Sequence, residues 1–214
     1  MKTNFKMKIS YDGTRYQGWE RQKSTEMTIQ GKLESVLSLM TGETVEVIGS
    51  GRTDAGVHAY NQRAHFDMDT KITSDKIKQA VNSIIPDDIY VKKIFEVDEN
   101  FHARFNVKAK EYIYKIWNAK NKNPFMTTQA FHYPFRLDCE LLDEQCKDYI
   151  GTFDFSAFCS AGSEVKDRVR TITDCCVERE GDMVTFKVTG DGFLYNMVRI
   201  MVGTLLDINS GKIP

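Results

Sequence analysis

Between residues 51 and 58 the chain reads Gly-Arg-Thr-Asp-Ala-Gly-Val-His. One carboxylate, Asp54, stands between two glycines and two groups able to carry positive charge, Arg52 and His58. A carboxylate set apart in this way serves as a nucleophile or as a proton acceptor, and an arginine two residues before it either steadies its charge or competes for it. Taken alone, such a string is more often a turn whose aspartate caps its own backbone. A hydrolase working through paired carboxylates would need a second acid near the first, and the loop holds none.

Cations gather elsewhere. From Phe101 to Asn123 six basic residues (Arg104, Lys108, Lys110, Lys115, Lys120, Lys122) accompany one acid, Glu111; from Asp138 to Asp154 six acids accompany one base, Lys147. The formal net charge is −1, so the distribution, and not the sum, makes a basic face and an acidic one. Arg104 and Lys110 are candidate phosphate contacts within the basic run, with smaller clusters at Arg15, Arg21 and Lys23 and at Lys166, Arg168 and Arg170. The cysteines at 139, 146, 159, 175 and 176 contain no Cys-x-x-Cys pair, and the histidines at 58, 65, 102 and 132 no His-x-x-x-His pair. Free thiols and no metal are expected.

The elements that must position these groups show in the hydrophobic pattern. At 214 residues, 41% hydrophobic and 28% charged, the chain can bury a sizeable core in one body or two lobes. No apolar run approaches the ~18 residues of a membrane span, and the first residues lack the apolar centre of a signal peptide, so a cytoplasmic address is expected. Met7 to Tyr11 reads as a strand. Ile29, Leu33, Val36, Leu37 and Met40 form a helical stripe. Strands at 44–48 and 62–68 flank the Asp54 loop, a second helix carries Ile77, Val81, Ile84 and Ile85, and Ile89 to Val97 is a strand. The first half is thus β-α-β-β-α-β, the split βαβ or ferredoxin-like order.

The plan begins again with an aromatic strand, Tyr112 to Trp117, and a helix placing Leu142, Cys146, Tyr149 and Ile150 on one face. Strands Val169–Glu178 and Met183–Thr189 follow, and a last helix carries Leu194, Val198, Met201, Val202 and Leu205. The expectation is an α/β protein of the α+β type with two ferredoxin-like lobes, residues 1–100 and 101–214. Their strands would run together into one mixed, mainly antiparallel sheet with helices on one face. A central cleft would let Asp54 and Tyr112 meet. The closing strand of the second lobe is missing from the pattern.

Six stretches in order resemble the TruA-type tRNA pseudouridine synthases: 51–58, Tyr-Asp-Gly-Thr-Arg-Tyr-Gln-Gly-Trp (11–19), Phe-His-Ala-Arg-Phe (101–105), Lys-Glu-Tyr-Ile-Tyr (110–114), Asp-Phe-Ser-Ala-Phe (154–158) and Phe-Leu-Tyr-Asn-Met-Val-Arg (193–199). The resemblance implies a cofactor-free isomerase, homodimeric, that converts uridine to pseudouridine at positions 38, 39 and 40 in the anticodon arm of tRNA. It implies that Asp54 is the catalytic aspartate and that Arg199 pairs with it as a buried cation. Arg52 would hold the target nucleotide out of the stack, and Tyr112 would pack against the flipped uracil. Glu20 and Phe153 depart from the family's more usual Gln and His, and relatives are expected to continue some tens of residues past Pro214 through a helix and a strand. A non-catalytic RNA-binding module of the same architecture, or an inactive truncated form, is the alternative. Asp54 separates the readings, because plain RNA binding has no use for a carboxylate in the cleft.

Overall fold

The computed structural model describes residues 2–163 and 165–213. The chain divides into two compact units, Met1–Val107 and Lys108–Pro214, each with its own sheet and its own core.

The first unit runs β1 (Thr3–Tyr11), α1 (Ile29–Thr41), β2 (Ile48–Gly49), β3 (Ala59–Met68), α2 (Ser74–Ile84), β4 (Ile89–Glu96), the element order predicted from the sequence. Its antiparallel sheet has the order β2-β3-β1-β4. Along β1 the side chains alternate: Phe5, Met7, Ile9 and Tyr11 are buried while Lys6, Lys8 and Ser10 are not. Period two therefore hands one face to the core and leaves the other for different work. Thr28 starts α1, its side chain accepting the Gly31 N–H, and Ile29, Leu33, Val36 and Leu37 are buried.

The strand predicted over 44–48 shrinks to Ile48–Gly49. Side chains of α1 take the backbone groups a strand neighbour would have used: the Val45 N–H donates to Ser38 Oγ at 2.9 Å and the Val47 N–H to Glu34 Oε1 at 3.0 Å. Val45 and Val47 still bury their side chains. Ile84, assigned by spacing to the α2 stripe, is 49% exposed, because the helix ends there and the chain turns away before Pro86.

The second unit runs β5 (Lys110–Trp117), β6 (Phe131–His132), α3 (Cys139–Cys146), β7 (Gly151–Asp154), β8 (Val169–Glu180), β9 (Met183–Gly190), α4 (Met197–Asn209). Its sheet has the order β6-β5-β9-β8-β7, with β5 and β6 parallel and the other neighbours antiparallel. β6 and β7 escape a sequence reading because two and four residues carry no usable alternation. Tyr149 is buried beyond α3 in a 3-10 turn, where its hydroxyl donates to the Met201 carbonyl at 3.2 Å. Ile150, expected beside it, is 39% exposed, since the tightened turn rotates it off the helix face.

The strands hydrogen-bond as two sheets of four and five strands, where the sequence reading expects one. The segment Phe101–Phe105, read from sequence as the start of the second lobe, is tied into the first unit. Asn4 Nδ2 donates to the Phe101 carbonyl at 2.8 Å, and the Ala103 N–H donates to His65 Nδ1 at 3.1 Å.

Candidate active site

Asp54 is exposed at the tip of the connection between β2 and β3. Its carbonyl accepts the Val57 N–H at 3.1 Å and closes a four-residue turn. Gly56 takes φ 76 and Ala55 keeps a negative φ, the backbone of a type II turn, which puts glycine at its third position. The turn is bound to the segment after β1. Trp19 N–H donates to the Thr53 carbonyl at 2.9 Å and Gly56 N–H to the Tyr16 carbonyl at 3.2 Å, while the Tyr11 hydroxyl and Thr53 Oγ1 lie 2.9 Å apart. Stretches 11–19 and 51–58 are thus one built object.

The base of this object is apolar and closed. Tyr16 and Trp19 are buried, and the Trp19 ring lies 6.1 Å from that of Tyr11. Burial first, and then its hydrogen bond to Asp88, pushes the Tyr16 phenol above its ordinary range, so it stays a neutral donor. Asp88 also holds Arg15. Beside the turn, His58 Nδ1 lies 3.0 Å from Asp12 Oδ1 and 3.2 Å from the Gly13 nitrogen. It faces the acid when it carries the Nδ1 proton and accepts from Gly13 when it does not. Partial desolvation raises the Asp12 carboxyl, but bonds from Thr14 and the proximity of His58 outweigh this and hold it below the usual range. Arg52 reaches Glu20, Nε to Oε2 at 3.2 Å, with both side chains largely in solvent. An exposed pair of this kind contributes ~0–1 kcal/mol, so it leaves Arg52 available to exchange partners.

In the second unit, Tyr112 on β5 stands opposite Val188 of β9, and its ring meets Phe193 edge-on at 4.8 Å. Phe193 opens the stretch 193–199, which is held to the one after 154–158: the Ser160 N–H donates to the Tyr195 carbonyl at 3.1 Å and Asn196 Nδ2 to Ser160 Oγ at 3.1 Å. Asn196 has φ 58, the positive φ of a non-glycine residue, at the start of α4. Such a conformation costs ~1–2 kcal/mol and persists only where its surroundings impose it. It delays α4 to Met197, past the Leu194 start that periodicity suggests, and places Arg199 in the first turn.

Arg199 is exposed, not buried as the sequence reading has it, because Met197, Val198, Met201 and Val202 occupy the core face. A cation in a first helical turn opposes the helix dipole, which helps no helix and points to a use beyond stability. Its charge reaches Tyr114, where it partly offsets the rise that burial gives the phenol. Arg104 is exposed on the first unit; Lys110 is half-buried at the start of β5.

Comparison with known proteins accounts for this set of linked motifs. A model of the tRNA pseudouridine synthase family matches residues 7–106 and 146–214. The chain belongs to that family. It is 45% identical over 210 residues to "tRNA pseudouridine synthase A 2" of Bacillus cereus, covering 98% of this chain and 86% of that one. It is 46% identical over 210 residues to "tRNA pseudouridine synthase A" of Acetivibrio thermocellus, with the same coverage. A third relative, "tRNA pseudouridine synthase A" of Caldicellulosiruptor saccharolyticus, is 43% identical over 209 residues, 98% of this chain and 85% of its own length. The family match takes in Asp54, Arg52, Arg104 and Arg199 and omits 107–145, where Lys110 and Tyr112 lie.

The sequence reading places no role on Tyr11, Trp19 or Ser160, which build the two motif junctions. The signal was present as motif strings, but nothing in one string says which other string it touches.

Proposed function

We propose that the chain isomerises uridine to pseudouridine at positions 38, 39 and 40 of the tRNA anticodon arm, as a cytoplasmic homodimer of two ferredoxin-like lobes and without a cofactor. The observation that carries the proposal is Asp54: an exposed carboxylate on a turn whose backbone is fixed on both sides, in a chain of the tRNA pseudouridine synthase family. The reaction breaks the glycosidic C–N bond, turns the base and forms a C–C bond, and substrate and product have the same atoms. A carboxylate adds to the sugar or base as nucleophile, or takes a proton at the sugar. The Asp54 side chain is exposed, which leaves its carboxylate open to an approaching substrate.

The remaining roles follow the family resemblance. Arg199, exposed in the first turn of α4, is the cation that pairs with Asp54. Arg52, held loosely by Glu20, holds the target nucleotide out of the stack. Tyr112, steadied by Phe193, packs against the flipped uracil, a contact of ~1–3 kcal/mol. Arg104 and Lys110 contact phosphates. Incubation with anticodon-arm RNA carrying uridine at each of the three positions, followed by mapping of pseudouridine, tests the proposal; no product at any of them overturns it.

A further inference from the structure

On β1, Lys6 and Lys8 point away from the core that Phe5, Met7 and Ile9 enter. Lys8 stands directly opposite Arg63 of β3 on one side and Lys93 of β4 on the other. Three cations therefore form one row across three strands, which lie ~4.8 Å apart. The next row, two residues along, is His65, Lys6 and Phe95. Lys92 adjoins the first row, its Nζ donating to the Tyr60 carbonyl at 2.8 Å.

Like charges directly opposite one another destabilise a sheet, and the contact that offsets them here is weak, the Lys93 Nζ lying 6.0 Å from the centre of the Phe95 ring. Among the described residues no carboxylate forms an ion pair with Lys8, Arg63 or Lys93. Partial desolvation, then the charges of Arg63, Lys92 and Lys93, hold the Lys8 ammonium below its ordinary pKa. Around the row, Tyr60, Tyr90 and Phe95 are 56%, 53% and 45% exposed. A solvated surface has no need of repulsion kept at this register, and a polyanion lying across the row would relieve it.

We propose that this helix-free face of the first sheet, bordered by 101–105 where Lys6 and His65 meet Phe101 and His102, is a phosphate-binding surface for the tRNA backbone, separate from the Asp54 turn. The proposal rests on the reading that tRNA is the substrate. Alternation of cations with exposed rings suits a nucleic acid, whose phosphates and bases need one of each. An anionic membrane would meet the charges, but a sheet face lacks the apolar wedge of an interfacial helix. The surface is invisible in sequence because Lys8, Arg63 and Lys93 come from three strands far apart in the chain, each an ordinary outward residue of its strand.

The test is binding of full-length tRNA at a series of salt concentrations to the wild type and to Lys8→Gln/Arg63→Gln/Lys93→Gln, with a thermal melt of each protein. The proposal expects affinity at ~0.1 M salt to fall at least about tenfold and the slope of log affinity against log salt to become shallower by about two to three. The melting temperature should stay the same or rise, since the substitutions remove opposed like charges. Should the triple variant melt lower, Lys93→Gln alone, at an exposed position, should still flatten the slope by about one. Unchanged affinity and slope in variants whose wild type forms pseudouridine overturns the proposal alone. Unchanged tRNA binding with lost binding to phosphatidylserine vesicles also overturns it and assigns the face to a membrane. A wild type that neither binds nor modifies tRNA overturns the functional reading, and the proposal falls with it.

Discussion

Gly18 presses against the Thr53 carbonyl: a Cβ at Gly18 would stand 2.5 Å from that oxygen. The same oxygen accepts the N–H of the next residue, Trp19, at 2.9 Å. The residue before Asp54 is therefore set by the backbone of a segment more than thirty positions earlier in the chain. Gly18 also has φ 93, a region other residues enter only at a cost. Gly18→Ala is expected to destabilise the protein by about 2 kcal/mol or more and to lower turnover further than the loss of folded protein explains. Urea titration beside a pseudouridine assay measures both, and a variant with wild-type midpoint and rate would show that the close approach is dispensable.

Asp54→Asn removes the charge and keeps the shape. The residue is exposed, so the variant should melt within about 2 °C of the wild type. Turnover should disappear, while tRNA affinity stays within about tenfold, or 1.4 kcal/mol, because binding rests on many phosphate contacts and the chemistry on one carboxylate. Pseudouridine formed by the Asn variant would remove Asp54 from the mechanism; a parallel collapse of binding would make it structural.

His65 ties the stability of the first unit to pH. Burial, then the neighbouring His102, lowers its pKa from the ordinary value of 6.5, and its Nδ1 accepts the Ala103 N–H, which needs that nitrogen bare. The unfolded chain thus takes up a proton more readily than the folded one. Its contribution to stability is complete above about pH 6.5 and is lost as pH falls toward the folded value, at no more than about 1.4 kcal/mol per pH unit for one proton. Melts between pH 7.5 and 5.5 should fall in the wild type and flatten in His65→Gln. Equal slopes in both would place the titration elsewhere.

Asn196 carries a positive φ and a bond to Ser160. Asn196→Gly keeps the backbone and loses the bond; Asn196→Ala loses the bond and strains the backbone. The Ala variant should be less stable than the Gly variant by about 1 kcal/mol, read from chemical denaturation. Equal stabilities would mean that the start of α4 relaxes freely.

What the sequence determined by itself was what repeats locally. Alternation along Phe5, Met7 and Ile9, and the stripe Ile29, Leu33, Val36, Leu37, are short-range signals of period two and 3.6, and they were enough for the element order of the first unit. The string around Asp54, together with five other motif strings in order, was enough to name the family. Tertiary structure decided whatever depends on a partner distant in the chain. Glu34 and Ser38 took backbone groups of 44–48 that would otherwise have made a strand, Asn196 delayed the start of α4, the core face of α4 went to Met197, Val198, Met201 and Val202 and left Arg199 exposed, and β6 was too short to announce itself. The row of Lys8, Arg63 and Lys93 exists only through strand register, because a cross-strand neighbour is fixed by hydrogen bonds between segments and leaves no trace in the spacing of either one.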